Sequence, residues 1–260
     1  MTLENSNITV TIQDIAKMID HSLLHPTMTD EDLKQGCQLA KDLGLASACV
    51  KPYATSMAKN YLSGTDVLVC PVIGFPAGNS SIKVKVFEAQ QVVQEGAQEV
   101  DMVVNVGKVL GLQWDYIYEE INAINSAVVA GGAILKVIFE TDYLQSQHII
   151  KLCEICSKIG VAFVKTSTGY GFVKQNNAYN YTGATIENLK LMRQHCPPNV
   201  QIKAAGGVRT LDDLLTVRSI GVSRIGATAS LAIIDEARKR GISDTPTTVT
   251  FIYGLGAKCQ

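Results

Sequence analysis

Short apolar runs recur along this chain, each bounded by glycine, proline or small polar residues and most followed by a stretch of helical periodicity. Eight runs read as strands: Ile19–Leu24, Ala46–Val50, Val67–Gly74, Glu99–Val104, Ala133–Phe139, Val161–Lys165, Gln201–Ala205 and Ser223–Ala227. Near-continuous apolar character is what a parallel strand buried on both faces requires. Pro71 makes the third run the least regular, because proline cannot donate to a ladder. Helices are expected between them. One spans Ile12 to Met18; another starts at a capping-box-like Thr29-Asp30-Glu31-Asp32 and runs to Asp42 before Gly44. A third covers Tyr53 to Leu62. The fourth is capped at Ser80 or Ser81, with Val84, Phe87, Ala89, Val92 and Val93 as its inner face. Further helices fall at Trp114–Val129, Leu144–Ile159, Thr185–His195, Thr210 to about Gly221, and Thr228–Arg240. The residues before Ile12 read as a polar lead-in, and Asn176 to Tyr181 as a longer loop.

Alternation of strand and helix demands parallel strands joined by right-handed crossovers. The competing open, doubly wound sheet would show a Gly-x-Gly-x-x-Gly turn after the first strand, and Pro26 to Thr29 offers nothing of that kind. The expected architecture is a single α/β domain over residues 1–260, a closed (β/α)8 TIM barrel. The chain's 260 residues match the ~250 typical of that fold.

A formal charge of −1 gives no electrostatic footprint for nucleic acid. No apolar run reaches the ~18 residues of a membrane span, and the N-terminus lacks the basic flank and apolar core of a signal peptide. The seven cysteines are scattered and odd in number, which suits reduced thiols in a cytoplasmic protein. Cys153-Glu154-Ile155-Cys156 has redox or zinc spacing, but it lies in a helical segment with no second pair, so packing is the expected role.

The informative polar residues are lysines. Lys165 ends one apolar strand, Lys203 lies in the next, and Lys136 sits in the middle of the strand before them. One lysine at a strand end has most simply reached water. Three on three apolar strands suggest amines held out of bulk solvent. Barrel closure brings Lys165 and Lys203 together, and two like charges in a dry cavity depress one pKa, leaving a neutral amine that attacks carbonyls. Asp101, near the end of the fourth strand, is expected either to pair with Lys136 or Lys165 or to shuttle protons. The loops after strands seven and eight, with Gly206, Gly207, Gly226, Thr228 and Ala229, are candidates for a phosphate, since glycine admits close approach of backbone N–H groups. His21 and His25 run into Pro26 on extended chain, where His-x-x-x-His cannot chelate, so no metal site is expected.

Asp20-His21-x-Leu-Leu, Cys49-Val50-x-Pro52, Val72-Ile73-Gly74-Phe75-Pro76-x-Gly78, Glu99-Val100-Asp101-Met102-Val103, Leu135-Lys136-Val137-Ile138-x-Glu140-Thr141, Phe163-Val164-Lys165-Thr166-Ser167-Thr168-Gly169 and Lys203-Ala204-Ala205-Gly206-Gly207-Val208-Arg209-Thr210 together resemble the deoxyribose-phosphate aldolase family. The resemblance runs from about residue 14 to 235 with motifs on seven strands. It implies a class I aldolase that reversibly splits 2-deoxy-D-ribose 5-phosphate into glyceraldehyde 3-phosphate and acetaldehyde in deoxyribose catabolism. By it, Lys165 is the Schiff-base lysine, Lys203 lowers its neighbour's pKa and moves protons, and Asp101 is an acid/base. Gly169 and Lys136 join the phosphate loops as substrate-binding groups, no metal or organic cofactor is needed, and a homo-oligomer is allowed for. Departures from the family pattern are Lys51 in place of asparagine, His25 in place of lysine, Tyr170 in place of a phosphate-binding lysine, Ala229 in place of serine, and an Ala257-Lys258-Cys259-Gln260 tail without a terminal tyrosine. Two other readings compete: a phosphosugar isomerase-like enzyme without covalent chemistry, and a non-catalytic phosphometabolite-binding barrel.

Overall fold

The computed structural model describes residues 4–175 and 178–256; Asn176 and the tail from Ala257 to Gln260, Cys259 included, lie outside them. In chain order the strands are β1 (Glu4–Val10), β2 (Ile19–Leu23), β3 (Ser47–Val50), β4 (Leu68–Ile73), β5 (Glu99–Val103), β6 (Ile134–Ile138), β7 (Phe163–Lys165), β8 (Val173–Gln175), β9 (Ala178–Asn180), β10 (Gln201–Ala205), β11 (Arg224–Ala227) and β12 (Thr247–Tyr253). The helices are α1 (Ile12–Ala16), α2 (Asp30–Asp42), α3 (Thr55–Tyr61), α4 (Ile82–Gln94), α5 (Val106–Leu110), α6 (Trp114–Ala130), α7 (Ser146–Ile159), α8 (Ile186–His195), α9 (Leu211–Ser219) and α10 (Ser230–Lys239). Eight strands close a parallel barrel in the order β10-β11-β2-β3-β4-β5-β6-β7. These are the eight strands expected from the apolar runs.

Local chemistry sets the boundaries. Thr29 accepts the Asp32 N–H while Asp32 accepts the Thr29 N–H, the reciprocal box that starts α2; Thr210 and Asp213 do the same for α9. Gly160, at φ 79°, ends α7 in the left-handed region that glycine adopts without strain. The inner face of α6 is Ile117, Ile121, Ile124 and Val128, all buried at helical spacing, each worth roughly 1.5–3 kcal/mol of burial.

Several elements differ from the sequence expectation. The polar lead-in is strand β1, paired antiparallel with β12 from Glu4↔Tyr253 to Val10↔Thr247. The loop after residue 172 contains an exposed hairpin, β8–β9. β4 runs unbroken through Pro71, which pairs with Val50, and its pairing with β5 comes from Val72 and Ile73 instead. The inner face of α4 is Lys85, Ala89 and Val92, whereas Val84 (50 % exposed) and Phe87 (65 %) point outward. The ammonium of Lys85 outweighs the apolar pattern because it finds three acceptors within: Gly78 O, Val103 O and Glu120 Oε1, each at 2.7 Å. The last helix starts at Ser230, two residues later than expected.

Candidate active site

Side chains alternate along a strand, so Glu99 and Asp101 of β5 face into the barrel while Val100 and Met102 pack outward. The same rule sends Lys136, Lys165, Lys203, Arg224 and Asp20 inward from β6, β7, β10, β11 and β2. An interior usually filled by aliphatic layers is therefore ionic here. Lys203 is the register partner of both Lys165 and Arg224, and Asp101 that of Lys136.

The contacts form two storeys. In the lower one, Lys136 Nζ lies 2.5 Å from Glu99 Oε2, 3.0 Å from Asp20 Oδ2 and 3.2 Å from Cys70 Sγ, while Arg224 pairs with Asp20 (2.6 Å) and Glu99 (3.1 Å). Asp20, Cys70 and Glu99 could by their spacing hold a metal, but the Lys136 ammonium already occupies the centre of that triplet. In the upper storey Lys165 and Lys203 each donate to Asp101 Oδ2 at 2.8 Å, and Lys203 also meets Asp20 Oδ2 at 2.5 Å. Cys70 donates to the other oxygen, Asp101 Oδ1, at 3.1 Å.

Burial opposes the charges of Asp101, Asp20 and Lys203, and their partners decide the outcome. For Asp101, burial alone would raise the pKa; Lys136, Lys165 and Lys203 outweigh it and hold the carboxyl well below its ordinary range. Asp20 is lowered in the same way against burial, by Lys136, Lys203 and Arg224. Burial would discharge Lys203, but Asp101 and Asp20 raise its pKa instead. The lysine pair thus does not meet as bare like charges: a carboxylate sits between them, and Lys203 is held as an ammonium.

Above this layer opens a cavity of about 320 Å³ at the C-terminal ends of the strands. Lys165 and Lys203 reach it from below, and Gly169, Gly206, Gly207, Gly226 and Thr228 line it as their positions predict. Three of the sequence candidates are elsewhere. Asp101 is fully buried beneath the floor, its oxygens taken up by Lys165, Lys203 and Cys70. Lys136 is fully buried in the lower storey, locked by carboxylates, so it is not among the groups lining the cavity. Ala229 also falls outside the lining, behind Thr228 at the cap of α10.

Other residues are at the cavity although the sequence assigned them no binding role. Arg209 lines the cavity beside Gly207 and supplies a cation there; Tyr170, Phe172 and Tyr181 also line it, with Tyr181 against Gly206 and edge-on to Phe172. Asp20 reaches the cavity from β2. His21, one residue on, points outward instead, with Nδ1 2.8 Å from Ser230 Oγ at the start of α10, and its burial pushes its pKa down to about 4. His25 Nδ1 contacts Thr27 Oγ1, so the two rings are engaged separately.

The cavity loops are braced by one short segment after β6. Glu140, buried and held at φ 60°, accepts the backbone N–H and hydroxyl of Thr168. Asp142 accepts the N–H groups of Thr182 (2.6 Å) and Gly183 (2.9 Å). Gly183 abuts Gly206 so closely that a Cβ on it would lie 2.6 Å from the Gly206 carbonyl oxygen, and Ala184 N–H donates to that oxygen at 2.9 Å. Gly206 and Gly207 themselves hold φ 81° and 88°, where other residues are strained.

Comparison with known proteins gives one consistent picture. The model of the DeoC/LacD family aldolases matches residues 15–235. The deoxyribose-phosphate aldolase of Rhodopirellula baltica is 48 % identical over 227 residues, covering 87 % of this chain and 90 % of the relative. That of Caldanaerobacter subterraneus subsp. tengcongensis is 42 % identical, covering 89 % and 96 %. Among solved structures, the deoxyribose phosphate aldolase of Aeropyrum pernix, described as having a unique tetrameric structure, superposes with a TM-score of 0.76 at 30 % identity, covering 88 % of this chain and 92 % of that one.

Proposed function

This chain belongs to the DeoC/LacD family of aldolases, and on that premise we propose that it is a deoxyribose-phosphate aldolase that reversibly cleaves 2-deoxy-D-ribose 5-phosphate to D-glyceraldehyde 3-phosphate and acetaldehyde through a Schiff base on Lys165. The observation that carries the reading is the convergence of Lys165 and Lys203 on Asp101 Oδ2 at the floor of the cavity.

In this reading Lys165 Nζ attacks the aldehyde carbon of the open-chain sugar, and loss of water gives the imine. The layer holds four basic side chains, Lys136, Lys165, Lys203 and Arg224, against the carboxylates Asp20, Glu99 and Asp101, so a proton can leave it without stranding a charge. The protonated imine draws electrons from the adjacent C–C bond as it breaks, a base takes the proton of the departing hydroxyl, and glyceraldehyde 3-phosphate leaves. Protonation of the enamine and hydrolysis release acetaldehyde. Asp101 and Lys203 are the groups placed to relay these protons. The substrate's phosphate would lie against Gly206, Gly207, Gly226 and Thr228, with Gly169 and Arg209 at its flank. This sequence of steps uses no metal or organic cofactor.

The tetrameric relative supports reading the protein as a homo-oligomer. Among the described residues no helix is long and apolar enough to cross a membrane. A cytoplasmic role in deoxyribose catabolism follows from the proposed reaction itself. The test is borohydride reduction in the presence of acetaldehyde, which should add an ethyl group to Lys165. Unmodified protein, or a label on another lysine alone, rejects the Schiff-base assignment.

A further inference from the structure

Cys49 and Cys70 take no part in the chemistry above, yet they stand at its edge. They are register partners on β3 and β4, and both are free thiols. Their sulfurs and an Asp101 oxygen lie within 4.8 Å of one another. Neighbouring strands run ~4.7–4.9 Å apart, inside the Cα window of ~4.4–6.8 Å that a disulfide spans. The two differ in access: Cys49 lines the cavity, whereas Cys70 lies beneath it, donating to Asp101 Oδ1 at 3.1 Å. The contact with the Cys70 thiol lowers the Cys49 pKa against its burial, and the nearby Lys203 and Lys165 side chains add to this while Asp101 opposes it. Cys49 is buried but contributes to the cavity wall; a thiol at such a wall beside Lys203, with a second thiol behind it, is the arrangement of an attacking and a resolving cysteine.

We propose that Cys49 and Cys70 are a hydroperoxide-reactive dithiol whose closure to a disulfide turns the active site off. Cys49 sulfur attacks the distal peroxide oxygen; the O–O bond breaks, the alcohol or water leaves, and Cys49 becomes a sulfenic acid. Cys70 sulfur then attacks the Cys49 sulfur, its proton passing along the existing contact to Asp101 and on to the departing hydroxide, which leaves as water. Two thiols are oxidised and one peroxide is reduced. Closure removes the Cys70 hydrogen from Asp101 Oδ1 and redraws the cavity wall beside Lys165. A dithiol reductant reverses it. This loss of activity rests on the Schiff-base reading; formation of the bond does not.

The test treats the parent protein with hydrogen peroxide, maps unreduced peptides by mass spectrometry and follows aldolase activity in parallel. The expected result is a Cys49–Cys70 linked peptide pair, lighter by two hydrogens, appearing in step with loss of activity, both undone by dithiothreitol. Absence of the link, a link confined to the neighbouring Cys153 and Cys196, or a Cys49–Cys70 link with activity retained overturns the proposal. Cys70→Ala gives a second arm, scored against its own starting activity. Without the resolving thiol Cys49 goes on to the sulfinic acid, and dithiothreitol restores nothing; full restoration overturns the proposal as well. Borohydride labelling of untreated parent at Lys165 tells this failure apart from a failure of the Schiff-base reading, because the link is read by mass whichever lysine is labelled.

Discussion

Lys165 and Lys203 are register partners on adjacent strands, and their amines share a single oxygen atom, Asp101 Oδ2, at 2.8 Å each. A shared acceptor makes the three groups one proton-exchanging unit. Its members are unequal: Lys165 has access to the cavity and Asp101 on one side, while Lys203 is held by two carboxylates.

The inequality separates two substitutions. Lys165→Leu should abolish acetaldehyde trapping at every pH, because the attacking nitrogen is gone. Lys203→Leu should leave the ethyl label on Lys165 while lowering kcat by about 10²–10⁴, the usual worth of a positioned acid–base group. Trapping followed by peptide mapping checks both; a label on Lys203 in the Lys165→Leu protein contradicts the assignment.

Gly207→Asp places a carboxylate against the proposed phosphate position, at a backbone φ of 88° that itself costs about 1–2 kcal/mol. KM for deoxyribose 5-phosphate should rise more than tenfold, the factor that ~1.4 kcal/mol represents. Activity on unphosphorylated deoxyribose should fall far less. Equal losses would assign the loop a purely structural part.

Asp142→Ala removes the acceptor for Thr182 and Gly183 and so loosens the segment that abuts Gly206. The expected outcome is a several-fold rise in KM for the phosphorylated sugar, with the rate of acetaldehyde trapping at Lys165 unchanged. A fall in trapping would show that the brace reaches the lysines.

His21 gives a pH signature. Its ordinary pKa of 6.5 falls to about 4 in the fold because the ring is buried. Between those values the unfolded chain binds a proton that the folded one does not, so stability is full above 6.5 and drains as pH falls towards 4. At ~1.4 kcal/mol per unit the loss is roughly 3 kcal/mol. Urea titrations from pH 7 to 4 should show His21→Gln with the flatter dependence.

Lys85→Met leaves Glu120, a buried carboxylate, without its cation and frees two backbone carbonyls. The cost should be about 3–5 kcal/mol, seen as a large drop in Tm. Adding Glu120→Leu should recover part of it, since the surviving charge rather than the lost attraction dominates.

Much of this architecture was legible because each barrel strand is a local apolar run, and a lysine within such a run advertises itself. Lys165 and Lys203 stood out that way, Asp101 by its place near a strand end, and the structure brings the three together. Arg224 and Glu99 were not assigned roles, because Arg224 meets Asp20 across 204 residues of sequence and Glu99 across 125. For the same reason Lys136 looked like a cavity residue until its three acidic neighbours appeared. Phe87 and Lys85 exchanged faces because an apolar count ignores carbonyls waiting inside. Nothing in Phe139-Glu140-Thr141 marks Glu140 for left-handed backbone; only the buried Thr168 it serves explains it.

The β1–β12 ribbon has a consequence for how the chain is made. Glu4 pairs with Tyr253 and Val10 with Thr247, so β1 leaves a ribosome with no partner until every other strand described has followed it. At about 5–20 residues per second that interval is on the order of ten to fifty seconds. β2 waits nearly as long for β11, and with it Asp20 for Arg224. Lys136, Lys165 and Lys203 emerge in turn on β6, β7 and β10, and during that interval the growing chain must carry part of its cationic interior facing water, in a half-shell that only its last strands can seal.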